Sequence, residues 1–256
     1  MLLAIDIGNS TIAYGCFDKS ELRAAWSLPS GSMETGPTHT DGLVVRLQSL
    51  GVDSKQIHDV VIGSVVPRLT SLIEQAIKKS FNISPLMAST DLDAGLILHY
   101  ADSRKLGVDR FVAAAMAYAL YQTDLVVADF GTATTFSVVD EHGTYCGGAI
   151  APGLGISADA LVEKTAQLPR IDLQPPRSAI GNDTVSGIQS GVVLGHVSMV
   201  EGMIDRFQRE LTRSIKVIGT GGFAPLIASL SCRINEVRPQ LTLEGLNWLY
   251  HRQRSQ

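Results

Sequence analysis

Two aspartates, Asp6 and Asp129, each close an apolar run and stand two residues before a glycine. The first run reads Leu3-Ala4-Ile5-Asp6-Ile7-Gly8-Asn9-Ser10-Thr11, the second Val126-Val127-Ala128-Asp129-Phe130-Gly131-Thr132-Ala133-Thr134. An apolar run, a turn of small residues and a second run that resumes as Thr135-Phe136-Ser137-Val138-Val139 predict a β-hairpin. Glycine at the turn lets backbone approach a bulky anion, and successive peptide N–H groups can face phosphate oxygens. The neighbouring carboxylate only accepts hydrogen bonds, which suits a cation or its waters. One such motif is weak, because a plain hairpin can carry it. Its repetition is stronger: Asp6 matches Asp129, Gly8 matches Gly131 and Thr11 matches Thr134, offset by about half the chain. Two such hairpins facing each other could grip a nucleotide's phosphates from both sides.

Asp109-Arg110 pairs a candidate base with a fixed cation, where a Gly107 turn meets an apolar helix. As a bare dipeptide it is usually a surface ion pair or a helix N-terminal charge. Gly219-Thr220-Gly221-Gly222-Phe223-Ala224 formally satisfies a dinucleotide fingerprint, with Glu236 near the ribose-binding offset. That fingerprint normally opens its fold, and here too little chain follows, so a Gly-rich wall against a nucleotide fits better. No P-loop and no Gly-x-Ser-x-Gly elbow occurs, and the six histidines are scattered without metal-ligand spacing.

The elements that must position these residues alternate. Helices are expected over Leu43–Leu50 with Thr40 or Asp41 as N-cap, over Leu69–Ile77, Phe111–Tyr121 and Ser157–Lys164, and over one long stretch Thr184–Thr212. Strands are expected at His58–Val66 and Ile215–Ile218, and loops at Ser30–Pro37 and Leu168–Pro176. This order implies an α/β protein. In the long helix Gly187, Gly191 and Gly195 form a ridge without side chains. It could pack on the chain's own sheet or on a dimer mate.

The chain has 256 residues, enough for one large domain or two modest ones, with an ordinary globular composition. A formal charge of −4 argues against a dedicated nucleic-acid binder. Three separated cysteines without a Cys-x-x-Cys suggest neither zinc nor a disulfide framework and fit a reducing cytoplasm. The N-terminus lacks a signal-peptide pattern, and Phe111–Tyr121 is too short to span a bilayer, so no membrane association is expected.

Asp6-Ile7-Gly8-Asn9-Ser10, Gly107-Val108-Asp109-Arg110, Asp129-Phe130-Gly131-Thr132-Ala133-Thr134, Gly147-Gly148-x-Ile150-x-Pro152-Gly153 and Thr220-Gly221-Gly222 occur in the order found in type III pantothenate kinases. The chain resembles that family, which includes the Bvg accessory factors and belongs with acetate and sugar kinases, Hsp70 and actin. The likeness runs from about Leu3 to Tyr250 and includes Leu168-Pro169 and Leu241-Thr242-Leu243-x-Gly245-Leu246. Ser103 stands where many members have Pro, and Ser137 where Asp is frequent.

The resemblance implies two ribonuclease-H-like α/β domains of the actin-like ATPase superfamily, residues 1–120 and 121–256, with the active cleft between them. It implies ATP-dependent phosphorylation of pantothenate, with Mg2+ and a monovalent cation (K+ or NH4+), in a homodimer. By resemblance, Asp6, Ile7, Gly8, Asn9, Ser10, Thr11, Ile12, Ala13, Thr132, Gly221 and Gly222 hold Mg-ATP, and Asp129 is the monovalent-cation ligand. Asp109 is implied as the base, and Tyr100, Gly107, Val108, Arg110 and Thr184 as pantothenate contacts with it. Two rivals follow from the same residues: a nucleotide-binding accessory protein without turnover, and a sugar or acetate kinase of the same superfamily. Joint presence of Asp6, Asp109, Arg110, Asp129 and Thr184 disfavours the first, since a non-enzyme needs no acceptor for a substrate proton.

Overall fold

The computed structural model describes residues 1–33 and 39–254. Contacts divide the chain into two units, one of residues 1–96, 100–116 and 241–256, the other of residues 97–99 and 117–240. The last helix therefore groups with the first unit, where the sequence division at 120/121 would put it in the second.

The first unit is a five-stranded sheet. Strands β1 (Leu2–Ile7), β2 (Thr11–Asp18) and β3 (Glu21–Pro29) form an antiparallel meander, and β4 (Asp59–Ser64) and β5 (Leu86–Met87) extend it in parallel from β1. Helices α1 (His39–Ser49) and α2 (Pro67–Phe81) supply Leu47, Leu69, Ile73 and Ile77 to a core with Leu3, Ile5, Ile7, Ile12 and Tyr14. Pro67 opens α2, where its missing N–H costs no hydrogen bond. The expected loop at Ser30–Pro37 begins as a short 3₁₀ turn at Ser30–Met33; its remainder, and the side chains of Thr40 and Asp41, lie outside the described residues.

The opposite face carries small residues. Cβ atoms added at Gly15 and Gly63 would meet Leu243 and Leu246 of the final helix α8 (Leu241–Arg254), and the one at Gly63 also approaches Val108. Val108 opens α3 (Val108–Tyr121), three residues before the sequence pattern placed it, so Asp109 and Arg110 stand in its first turn. A Cβ on Gly245 would run into the backbone carbonyl of Val112, so α8 and α3 meet backbone to backbone there. Apolar burial at this contact explains the return of α8 to the first unit.

The second unit repeats the sheet. Its strand order is β11-β10-β7-β8-β9-β6, with β6 (Ile97–Leu98), β7 (Leu125–Phe130), β8 (Ala133–Val139), β9 (Thr144–Pro152), β10 (Lys216–Thr220) and β11 (Glu236–Val237). Strands β7, β8 and β9 repeat the meander of β1, β2 and β3, and β10 and β11 repeat the parallel extension. Among the described residues, the edge strand β6 has no counterpart in the first sheet. Helix α4 (Leu154–Lys164), α5 (Thr184–Gln189), a π turn at Ser190–Leu194, α6 (Gly195–Leu211) and α7 (Ala224–Leu230) complete the unit. Val192, Val193, Val197, Val200 and Ile204 pack on Phe130, Phe136 and Val138. The long helix expected from Thr184 is thus continuous but carries a π turn, a feature often found at functional sites. No helix among the described residues is long and apolar enough to cross a membrane.

Candidate active site

Both Asp-x-Gly motifs are hairpin turns, but they differ in length. In the first, Ile7 pairs with Ile12 and the turn is Gly8-Asn9-Ser10-Thr11; in the second, Phe130 pairs with Thr134 and the turn is Gly131-Thr132-Ala133. Gly8 N donates to Thr11 O at 3.0 Å, and Gly131 N to Ala133 O at 3.1 Å. The structural counterpart of Thr11 is therefore Ala133, and that of Thr134 is Ile12. The constant offset that matched Thr11 with Thr134 fails because the second turn is one residue shorter.

Strand alternation orients the first carboxylate. Ile5 and Ile7 enter the core beneath α1 and α2, so Asp6 points to the other face, shared with its register partners Ala13 and Gly63. That face is the one covered by Val108 of α3 and Leu246 of α8. Val65, next after β4, donates its N–H to Ile7 O at 3.1 Å, and its Cγ1 lies 3.7 Å from the Cβ position of Gly107. The Asp6 turn and the start of α3 therefore meet at the carboxyl end of β1 and β4, the edge where open α/β sheets bind ligands.

Asp109 is half-buried and accepts a hydrogen bond from Arg110 N at 2.8 Å. Its carboxylate folds back over Gly107, whose Cβ position lies 2.4 Å from Asp109 Oδ1, so only glycine leaves it room there. Arg110 is 9% exposed, an unusual state for a guanidinium, which rules out a solvated surface pair. Tyr100 is half-buried and belongs to the same unit. Ser103 opens a 3₁₀ turn capped by Asp102, and Thr90 Oγ1 donates to Ser103 O at 3.0 Å, so the loop beside Tyr100 is ordered without proline.

Asn9, Ser10 and Thr11 are exposed, but the first turn is held from behind. Ser30, 4% exposed, donates its hydroxyl to Gly8 O at 2.7 Å and its N–H to Ser10 O at 2.9 Å. Sequence reasoning missed this clamp, since Ser30 sits in a stretch that reads as loop.

In the second unit Asp129 alternates with the core residues Ala128 and Phe130 and pairs in register with Thr135 and Thr220. Gly221, at φ +87°, has its Cβ position 2.4 Å from Asp129 Oδ1 and under 3 Å from the backbone of Phe130. Gly153 donates its N–H to Thr132 O at 3.2 Å and has no room for a side chain against the same turn. Asp129, Thr132 and the Gly221-Gly222 turn are thereby gathered at the carboxyl end of β7 and β10. Gly219 and Thr220 are the end of β10, and Glu236 pairs with Lys216 at 3.6 Å and Arg238 at 3.2 Å on the sheet edge. The Glu236 carboxylate is thus engaged by two cations of its own unit.

Thr184 stands elsewhere in this unit. It is exposed at the start of α5, capped by Asp183, and lines a groove of about 680 Å³ with Gly187, Gly191, Gly195, His196 and Met199. Cβ atoms added at Gly187, Gly191 and Gly195 would meet nothing within 4 Å. The ridge is therefore not made by close packing on the chain's own sheet.

Two successive sheets of one order, each with a carboxylate and a glycine turn at the carboxyl end of its central strands, define the actin-like and sugar-kinase fold class. Solved structures share that fold: a Baf family protein from Campylobacter jejuni (TM-score 0.62, 18% identity, 99% of this chain and 100% of that one) and the ethanolamine utilization protein EutJ from Carboxydothermus hydrogenoformans (TM-score 0.55, 15% identity, 96% and 89%). The family model for type III pantothenate kinase matches residues 2–206. Proteins called type III pantothenate kinase from Geotalea daltonii (41% identity, 99% of both chains) and Anaeromyxobacter sp. (42%, 99% of this chain and 100% of the relative) align over nearly the full length. The chain belongs to the type III pantothenate kinase family, a family of phosphotransferases.

Proposed function

We propose that this chain transfers the γ-phosphoryl group of ATP to the hydroxyl of pantothenate, giving 4′-phosphopantothenate and ADP, the first step of coenzyme A synthesis. The observation that carries the site assignment is the convergence of the Asp6 turn and the Asp109 helix start on one face and one edge of the first sheet. The hydroxyl oxygen forms a bond to the γ-phosphorus as the bond to the bridging oxygen of ADP breaks, and the hydroxyl proton passes to the Asp109 carboxylate. Such a reaction depends on positioning and charge neutralisation more than on covalent help from the protein.

Gly8 to Thr11 and Gly131 to Thr132 offer backbone to the phosphates, with Ile7, Ile12 and Ala13 setting the first turn and Gly221-Gly222 lining the nucleotide. Among the described residues no three His, Cys, Asp or Glu side chains gather as a metal cage. A carboxylate beside a phosphate turn instead fits Mg2+ bound mainly by phosphates and water, with Asp6 as its protein ligand. Mg2+ would neutralise phosphate charge there. Asp129, crowded by the Gly221 backbone, would hold K+ or NH4+. Tyr100, Gly107, Val108, Arg110 and Thr184 are assigned to pantothenate, with Arg110 fixing its orientation.

The open ridge at Gly187, Gly191 and Gly195 supports a homodimer in which a second copy enters the groove. Three free cysteines, two of them exposed, suit the reducing cytoplasm. The test is ADP release with pantothenate, sugars and acetate as acceptors, with product masses. Turnover confined to pantothenate supports the reading, and turnover with a sugar or acetate alone overturns it.

A further inference from the structure

The difference in length between the two hairpins puts a hydroxyl in a core. The first residue after the turn is Ile12 in the first unit, 0% exposed, and Thr134 in the second, 1% exposed. Thr134 faces the same side as Phe136 and Val138, into the apolar layer beneath α6. A buried hydroxyl there needs a partner. It has one in His196, 7% exposed, whose Nε2 lies 2.9 Å from Thr134 Oγ1. The same imidazole meets the Phe130 ring edge-on, with centroids 6.4 Å apart. Phe130 and Thr134 are the register pair that closes the Gly131-Thr132-Ala133 turn, and Phe130 directly follows Asp129. One side chain thus touches both strands at the base of the turn, from the face opposite Asp129.

Packing alone would be served by an apolar residue at either position, as Ile12 serves in the first unit. A hydrogen bond differs in being directional: it fixes where the Thr134 backbone sits, and with it the N–H groups of the turn. Val192 of the π turn lines the same groove as the imidazole. We propose that His196 is a positioning residue that, through Thr134, sets the Gly131–Ala133 turn for nucleotide binding. This rests on the reading that the second hairpin holds ATP phosphates.

The test compares His196→Phe, His196→Gln, Thr134→Val and the double variant His196→Phe/Thr134→Val by steady-state kinetics, Mg-ATP calorimetry and thermal melts. His196→Phe and Thr134→Val should each raise the KM and Kd for ATP about tenfold, since small misplacements at a site are costly, with the KM for pantothenate unchanged. The double variant should be no worse than either single one, because both remove the same bond. His196→Gln, which can still reach Thr134, should recover ATP binding to within about twofold of the parent. Unchanged ATP binding in Thr134→Val and His196→Phe overturns the proposal, as does a melting-temperature loss without the ATP-specific change. If the parent protein proves not to phosphorylate pantothenate, the functional reading fails, while calorimetric ATP binding still decides the role of His196.

Discussion

Asp109 lies back over Gly107, its Oδ1 2.4 Å from where a side chain on that glycine would begin. The proposed base is thus held between the Arg110 N–H on one side and a bare backbone on the other. Gly107→Ala would force the carboxylate to rotate out of this place. Because the displaced atom ends a side chain, the fold should survive with little change in Tm. We expect kcat to fall by about tenfold, less than the roughly 10²–10⁴-fold that losing a general base outright costs. Kinetics and melts on the same sample check it; an unchanged kcat would mean the crowded rotamer is irrelevant to catalysis.

Asp129 and Gly221 form a second such pair, and here the obstacle includes backbone. If Asp129 holds a monovalent cation beside the phosphates, turnover should rise with potassium or ammonium and respond weakly to sodium. Asp129→Ala should lose that dependence with most activity. Gly221→Ala, strained at positive φ and crowding Phe130, should weaken the dependence and destabilise the fold by about 1–3 kcal/mol. Equal turnover of the parent in all three salts would refute the cation assignment.

The groove beside Thr184 bears on assembly. Within its own subunit Gly191 has open space above it, so a larger residue is tolerated there. If a second copy docks in the groove, Gly191→Leu should shift the sedimenting species from dimer to monomer and raise the KM for pantothenate through Thr184. A monomeric parent at micromolar concentration would contradict the dimer.

Burial alone pulls the pKa of His196 below its usual 6.5. The residues that meet it or line the groove with it, Phe130 and Thr134 with Thr184, Ile188, Val192 and Met199, carry no charge to oppose that. The folded state therefore binds fewer protons here than the unfolded chain. The stability held above pH 6.5 is lost as pH falls through the lower folded-state pKa. Melts of the parent should decline more steeply between about pH 7 and 5 than those of His196→Gln, which cannot titrate in that range. Parallel slopes would show that His196 is not buried as a neutral ring.

Much of this arrangement was legible in the residues themselves. The doubled Asp-x-Gly motif located both hairpins, and helical spacing placed the elements around them, because burial imposes those periods directly. The shorter second turn was not legible: a constant offset carries Thr11 onto Thr134, and only strand pairing reveals the slip. Ser30 and His196 were missed for a related reason. Their partners Gly8 and Thr134 are remote in sequence, and a serine in a polar stretch or a histidine on a helix gives no local sign of what it meets. The final helix packs back on the first unit through Leu243, Leu246 and Gly245, a tertiary choice that periodicity does not encode.

The central claim is that Asp109 accepts the pantothenate proton at the edge shared with the Asp6 turn. Asp109→Asn keeps the shape and removes the proton acceptor. The decisive measurement is the rate of 4′-phosphopantothenate formation by this variant, followed by mass, alongside calorimetric Mg-ATP binding. The expected result is a kcat lower by about 10²–10⁴-fold, with ATP affinity little changed if the hairpins are what holds the nucleotide. A near-normal kcat in Asp109→Asn would contradict the account.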